Sequence, residues 1–317
     1  MTRVLFISSA NRNGINPIVT AQGISLSDAG LDVHYYGILG KGAAGYLKNI
    51  GKIRKTVRDV QPDIIHAHFS FSGFAASLAA QGKPVVVSLM GSDVAGGWVH
   101  RFPTKFFSRF LWARTIVKSE WMAKRTLSRR IAVIPNGVDL KRFFPTNDRS
   151  ALKRKCGLSA DKKHILFFAD PNRYSKNYTL AQQAMRHASI DDAELVVKFD
   201  VSHGDMPELI NAADMVLLTS RWEGSPNVVK EAMACNCPVV ATSVGDVAWL
   251  FGNETGYYTA DFNPQNIGNR ISGVMQLLDD GVQINGRQRI IRLGLDSESI
   301  ASRLIKVYEE VLKSDEY

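Results

Sequence analysis

Short, nearly unbroken apolar runs recur along this chain at the spacing of a strand–helix–strand repeat, and that rhythm restricts the fold more than any other feature. RVLFIS, LDVHYYGI, DIIHAHF, KPVVVSL, TIVKS and IAVIPN read as strands in the first half, and HILFFAD, ELVVKF, DMVLLTS and PVVATS in the second. A strand apolar on both faces is buried on both, and such strands occur in parallel sheets covered by helices. Amphipathic stretches such as AGYLKNIGKIRKTVRDV lie between several of them. The chain is therefore α/β, with two doubly wound sheets, each beginning afresh. Its 317 residues fit two domains of about 150 residues each.

Asn136-Gly137 is a turn signal after a strand, and Phe143-Phe144-Pro145 runs into the polar stretch Thr146-Asn147-Asp148-Arg149-Ser150. The division is expected between Asn136 and Lys163. Residues 1–150 would form the first domain and 151–296 the second, with 297–317 a helix packing back toward the first. Open α/β sheets bind ligands beyond the carboxyl ends of their strands. The cleft between two such domains is the expected site.

No apolar run reaches the roughly 18 residues that a membrane span needs. The N-terminal MTRVLFISS reads as a strand entering a turn, not a secretory signal, so the expected compartment is the cytoplasm. Cys156, Cys235 and Cys237 are too few for a disulfide framework and lack the paired spacing of a zinc site; they read as small buried thiols. The net charge of +9 is lopsided, with 21 Lys+Arg against 8 Asp+Glu in residues 1–150 and 18 against 22 in the remainder. An anionic partner is expected on the first half.

The most informative segment is RWEGSPNVVKEAMA, Arg221 to Ala234, directly after the run MVLLTS. Ser225 is a favoured N-cap and Pro226 suits the first helical position. A helix is expected to start there and to stop before Pro238. Its first turn presents unpaired N–H groups at the carboxyl end of a strand, a seat for a diphosphate, and Gly224 lets the backbone come close. Glu223 stands just outside this helix and Glu231 inside it, roughly 7–8 Å further along the axis. Carboxylates on either side of a diphosphate can accept hydrogen bonds from a sugar and from a ribose. Taken alone, two glutamates would favour the bland reading, a solvated helix with two surface carboxylates.

EGSPNVVKEAMACNCPVVATSVGDV resembles the donor-site signature of glycosyltransferase family 4. PDIIHAHFSFSGFAASLAA at 62–80, IPNGVDLKRFFP at 134–145 and MPELINAADMVLLTS at 206–220 are similar to further stretches of the family, in the family's order. The resemblance implies the GT-B architecture: two Rossmann-like domains with an interdomain cleft, acceptor on the first and donor on the second. It implies a retaining transfer from a nucleotide-diphosphate sugar to a glycan or lipid-linked acceptor, in surface-polysaccharide biosynthesis. No metal and no cofactor besides the nucleotide-sugar co-substrate is implied. Carried over by position, Glu223 takes the donor sugar's hydroxyls and the developing positive charge, and Glu231 the ribose hydroxyls. Gly224 and the backbone of Ser225, Pro226, Asn227 and Val228 take the sugar and phosphates. Gly14, in the loop after the first strand, corresponds to the family's glycine near the diphosphate.

A leaving diphosphate needs positive charge. The family supplies it with an arginine and a lysine five apart. In FFADPNRYSKNYTLAQQA the lysine is Lys176, the arginine's position falls on Pro171, and Arg173 stands two residues later. Glu223, Lys176 and Arg173 are the expected catalytic residues; the bland reading of the two cations is a surface loop. In SLMGSDV, Met90 stands where the family has histidine, while Gly91 and Asp93 match. Asp93 reads as a cleft residue or as a turn cap. These departures leave a second reading, a non-catalytic nucleotide-sugar-binding protein on the same fold.

Three further patterns compete for attention. Gly40-Lys41-Gly42-Ala43-Ala44-Gly45 fits the dinucleotide G-x-G-x-x-G of a nicotinamide-dependent oxidoreductase, but follows the second strand rather than the first. His66 and His68 share one strand face; without a third ligand nearby, structural or acceptor-facing roles are expected. Residues 101–130 carry Arg101, Lys105, Arg109, Arg114, Lys118, Lys124, Arg125, Arg129 and Arg130 against Glu120 alone, interleaved with Phe102, Phe106, Phe107, Phe110, Leu111 and Trp112. Either the aromatics are core and the cations solvated, or the stretch docks on anionic lipid. No nucleic-acid-binding module is visible.

Overall fold

The computed structural model describes residues 1–314 save 12, 13, 96, 97, 127, 129 and 147, with the backbone alone of 95 and 98–101. Six parallel strands, β1 (Arg3–Ser9), β2 (Asp32–Ile38), β3 (Ile64–His68), β4 (Val85–Ser88), β5 (Arg114–Val117) and β6 (Ile131–Val133), form a sheet in the order β2-β1-β3-β4-β5-β6. Five more, β7 (Lys163–Phe167), β8 (Ala193–Val197), β9 (Met215–Leu218), β10 (Val239–Thr242) and β11 (Tyr257–Ala260), form a second in the order β11-β10-β9-β7-β8. The first ten strands lie on the apolar runs; β11, with the sequence YYTA, is too short and too polar to announce itself.

Helices cover both faces of each sheet. Leu5, Ile7, Ile65, Val85 and Val87 pack in one cluster with Ile53 and Val57 of the helix Ile50–Val60 and with Ala75, Ala76 and Ala79 of the helix Ser70–Ala79. The alternate residues Val4, Phe6, Ile64 and Val86, which point the other way, are just as buried. The second sheet buries Ile165, Phe167, Leu217 and Val240 against the helices Tyr178–Ala188 and Pro264–Asp279. The amphipathic stretch at 44–60 is two helices rather than one, Gly42–Leu47 and Ile50–Val60. Buried Asn49 breaks it by donating to the carbonyls of Leu39 and Gly45 and accepting from the Tyr36 hydroxyl.

The chain divides into two compact units, 1–137 with 297–317 and 138–296. Residues 138–150, expected in the first domain, belong to the second. Val138 N–H donates to the Leu295 carbonyl at 2.9 Å, Arg287 donates to the carbonyls of Phe143 and Leu140, and Arg149 pairs with Asp214. The helix Ser297–Ser314 lies in the first unit. Its Tyr308 hydroxyl is 2.5 Å from His66 Nδ1, and Arg303 donates to the Val133 carbonyl.

Candidate functional site

The second sheet reverses its strand order between β7 and β9. Loops leaving two such strands diverge to opposite faces and open a crevice at their carboxyl ends. The loop after β7 carries Arg173 and Lys176, and the loop after β9 carries Arg221 to Pro226. Lys176 Nζ lies 2.5 Å from Glu223 Oε1, and the Ser220 hydroxyl donates to the same oxygen at 2.7 Å. The two charged side chains are 20% and 16% exposed, so each keeps an open face. The loops are stitched together beneath them. Thr219 Oγ1 donates to the carbonyls of Lys176 and Asn177 at 3.1 Å each, Arg221 N–H to Ser175 at 2.8 Å, and Thr242 Oγ1 to Ser220 at 2.7 Å. Ser220 was readable as one of the polar pair that closes the run MVLLTS.

The helix after the second loop is Asn227–Ala234. Its N-cap is Pro226, with φ −70° and ψ 119°, and no side chain caps it. Ser225, expected as the cap, is buried, and its hydroxyl does not reach the first turn. Pro226 is held in the extended region and so stands before the helix rather than in it. First-turn N–H groups that no side chain caps suit an external acceptor. Gly245, at φ +58°, packs against this loop so closely that a Cβ there would lie 2.6 Å from the Gly224 carbonyl oxygen; only glycine fits.

Behind the loop, Lys230 is fully buried beside Asp246. Burial pushes its amine down to about 8, opposed by the charges of Asp246 and Glu231. Burial likewise pushes the Asp246 carboxyl up to about 6, opposed by Lys230. Glu231 is 9% exposed at its side chain, with Oε1 3.1 Å from His203 Nε2. His203 is in turn held by Arg142, which donates to its carbonyl at 2.6 Å. Arg142 lies in the family-like stretch 134–145 without a role assigned to it there, and His203, in a polar loop, belongs to no motif. Arg173 is exposed and stands outside the Lys176–Glu223 cluster, its backbone opening the short turn Tyr174–Lys176.

In the first unit, Gly14 is exposed in the loop after β1, at φ +100°, a conformation that favours glycine. Asp93 is buried, caps the local turn, and also lines a small pocket with Val94, Thr104, Lys105, Arg125 and Thr126. It accepts from Ser70 N–H and Oγ–H at 3.1 and 2.7 Å and from Met90 N–H at 2.5 Å. Burial nevertheless pushes its carboxyl up to about 7. His68, 2% exposed, is stacked on His66 with ring centroids 4.4 Å apart and rests against Phe6. It is an interior residue. Gly40 and Gly45 meet backbone to backbone: a Cβ on Gly45 would lie 2.5 Å from the Gly40 carbonyl carbon. That close approach explains both glycines without a nicotinamide cofactor.

The basic stretch divides its aromatics. Phe107 and Trp112 pack with Phe74 inside. Phe102, Phe106 and Phe110, one per turn of the helix Trp98–Phe110, stay 72%, 51% and 64% exposed. Lys124, Arg125 and Arg130 are exposed too. The Arg101 side chain and Arg129 lie outside the described residues.

The fold aligns over 99% of this chain and 100% of sucrose-phosphate synthase from Thermosynechococcus elongatus, at 18% identity and a TM-score of 0.83. It aligns over 98% of this chain and 100% of Anabaena HepE in complex with UDP and glucose, at 17% identity and a TM-score of 0.79. With two Rossmann-like parallel sheets, this is a GT-B fold. Residues 11–142 match glycosyltransferase family 4, and residues 163–279 match glycosyl transferases group 1. Each half of the chain thus matches a glycosyltransferase family. It is 30% identical to TuaC of Bacillus subtilis (strain 168), named for teichuronic acid biosynthesis, over 62% of this chain and 57% of TuaC, less than two thirds of that relative. It is 24% identical to the Escherichia coli UDP-Gal:alpha-D-GlcNAc-diphosphoundecaprenol alpha-1,3-galactosyltransferase, over 74% of this chain and 71% of that one.

Proposed function

We propose that this chain is a retaining, metal-independent glycosyltransferase that moves a sugar from a nucleotide-diphosphate sugar to a lipid-linked or glycan acceptor in cell-surface polysaccharide assembly. The observation that carries this reading is the Lys176–Glu223 pair, 2.5 Å apart where the second sheet reverses its strand order. The acceptor hydroxyl attacks the anomeric carbon as the bond to the β-phosphate oxygen breaks, both on one face of the sugar, and the proton passes to the departing diphosphate. Lys176, with Arg173 on the same loop and the first-turn N–H groups of Asn227–Ala234, neutralises that leaving group. Glu223 holds the sugar's hydroxyls and faces the positive charge on its ring. Glu231 holds the ribose. UDP in the complex with HepE and the diphosphoundecaprenol acceptor of the E. coli relative support these classes of donor and acceptor.

Thermal shift against UDP, GDP and ADP tests the donor half. At a hundredfold excess over Kd, the matching nucleotide adds about 2.7 kcal/mol, a rise of roughly 4–8 °C. No rise with any of the three would sink the reading. Met90 in the family's histidine position and the exposed Arg173 favour one alternative, a donor-binding protein without transfer. Nucleotide-sugar binding with neither transfer nor hydrolysis would establish it.

The acceptor half brings in the membrane. No described helix is long and apolar enough to cross one. The exposed Phe102, Phe106 and Phe110 with Lys105 and Arg109 on the same helix suit shallow docking on anionic lipid at the cytoplasmic face. Binding to phosphatidylglycerol vesicles over phosphatidylcholine is expected. The double variant K105A/R109A should weaken it roughly thirtyfold, at about 1 kcal/mol per cation. Equal sedimentation with both lipids would exclude this face.

A further inference from the structure

Glu231 has a partner that no motif announces. His203 lies in the loop between β8 and the helix Met206–Ala212, and its Nε2 is 3.1 Å from Glu231 Oε1. On the other side of the ring, Nδ1 faces Arg142 Nη1 at 3.4 Å. A guanidinium carries donors only, so Nδ1 must accept, and the single proton of a neutral imidazole then sits on Nε2. That N–H points at Glu231. Arg142 is itself fixed by donating to the His203 carbonyl at 2.6 Å, and both His203 and Arg142 lie against the Phe143 ring, at 5.7 and 5.6 Å. Segments far apart in sequence, around 142, 203 and 231, thus converge on one carboxylate. The other glutamate of the motif is held differently, by a lysine and a serine.

We propose that His203 is a positioning residue for the nucleotide. Its Nε2–H holds Glu231 Oε1, so the carboxylate meets the ribose hydroxyls already oriented, with Oε2 turned to receive them. Arg142 fixes the tautomer that makes this possible, as second partners of a ligating group do elsewhere. The proposal rests on the reading of Glu231 as the ribose ligand. It adds a role for a loop histidine, and a reason for the arginine in IPNGVDLKRFFP.

The test measures Kd by calorimetry for UDP, GDP and ADP and for their counterparts lacking the 2′ and 3′ hydroxyls, with wild type, H203F, H203Q and E231A. H203F keeps a ring against Phe143 and loses the N–H. It should weaken the preferred nucleotide about tenfold, the worth of one hydrogen bond to a charged group, and leave the dideoxy counterpart unchanged. H203Q restores a donor and should recover most of the loss. In turnover the effect of H203F should fall on the donor KM rather than on kcat. Equal loss on both nucleotides, or none on either, would overturn the role of His203. If E231A weakens the nucleotide and its dideoxy counterpart equally, or neither, the ribose reading falls instead, whatever H203F does. Binding of none of the nucleotides would take both down.

Discussion

Replacing Lys176 by alanine should lower kcat for sugar transfer by about two to three orders of magnitude, the usual effect of removing one fixed group that stabilises transition-state charge. The negative charge on the departing diphosphate grows as the sugar leaves, and Lys176 is the cation that the fold holds 2.5 Å from Glu223. R173A, on the same loop but exposed, should cost less. E223A should cost a factor comparable to that of K176A, since on the proposed reading it removes the carboxylate that faces the sugar. It also frees Lys176 from the partner that holds it. Because the two side chains act as one pair, the double variant should be little worse than the poorer single one. Initial rates from the nucleotide sugar identified by thermal shift give the measurement. Turnover within fivefold of wild type in both single variants would remove these residues from the chemistry.

The second large effect is in the response to acid. Burial holds the His68 imidazole well below its ordinary value, and the charges of His66 and Lys118 push it the same way. The folded chain keeps the ring neutral, while the unfolded chain protonates it near pH 6.5. Its share of stability is therefore whole above pH 6.5 and shrinks as pH falls, by about 1.4 kcal/mol per pH unit. H68L has no proton to take up. The unfolding free energy of wild type, measured against H68L in urea, should drop by about 2 kcal/mol between pH 6.5 and pH 5. Asp93 and Asp246, pushed up to about 7 and about 6, act in the opposite sense. Their contribution is full below their unfolded value and is lost as pH rises through the raised one. Both proteins carry them, so they cancel in the difference. A gap that stays constant over this range would show that His68 is not buried as a neutral ring. His66, brought down to about 3 by burial and by Lys118, adds a parallel loss to both proteins.

The parts of this molecule legible in its sequence are those written locally. An apolar run such as RVLFIS reports a strand covered on both faces whatever lies around it, and β1 is buried through its middle as that run requires. β11 escaped because YYTA has no apolar run, and only its middle two side chains are partly exposed. The break at Asn49 escaped because the groups that bond its side chain belong to Tyr36 and Leu39, in and just after β2. Ser225 reads as a cap by residue type, but Pro226 after it is held in an extended conformation that keeps the serine one residue too early to reach the first turn. The basic stretch 101–130 could be read two ways, and the structure divides it: Trp112 is in the core with Phe107 packed against it, and Phe102, Phe106 and Phe110 stay outside.

By itself, the sequence determined the class of fold, the two sheets and the family, because hydrophobic period and motif order survive without coordinates. It also singled out Glu223, Glu231 and Lys176 by their resemblance to a donor site. Only the tertiary structure decided what those residues touch. Lys176 and Glu223 lie 47 residues apart and meet because β7 and β9 are neighbours at the point where strand order reverses. Glu231 meets His203, and His203 meets Arg142, through two loops whose sequences have no period to read. A hydrogen bond is made in a few tenths of an ångström, and spacing along the chain sets no distance between residues that strand order brings together.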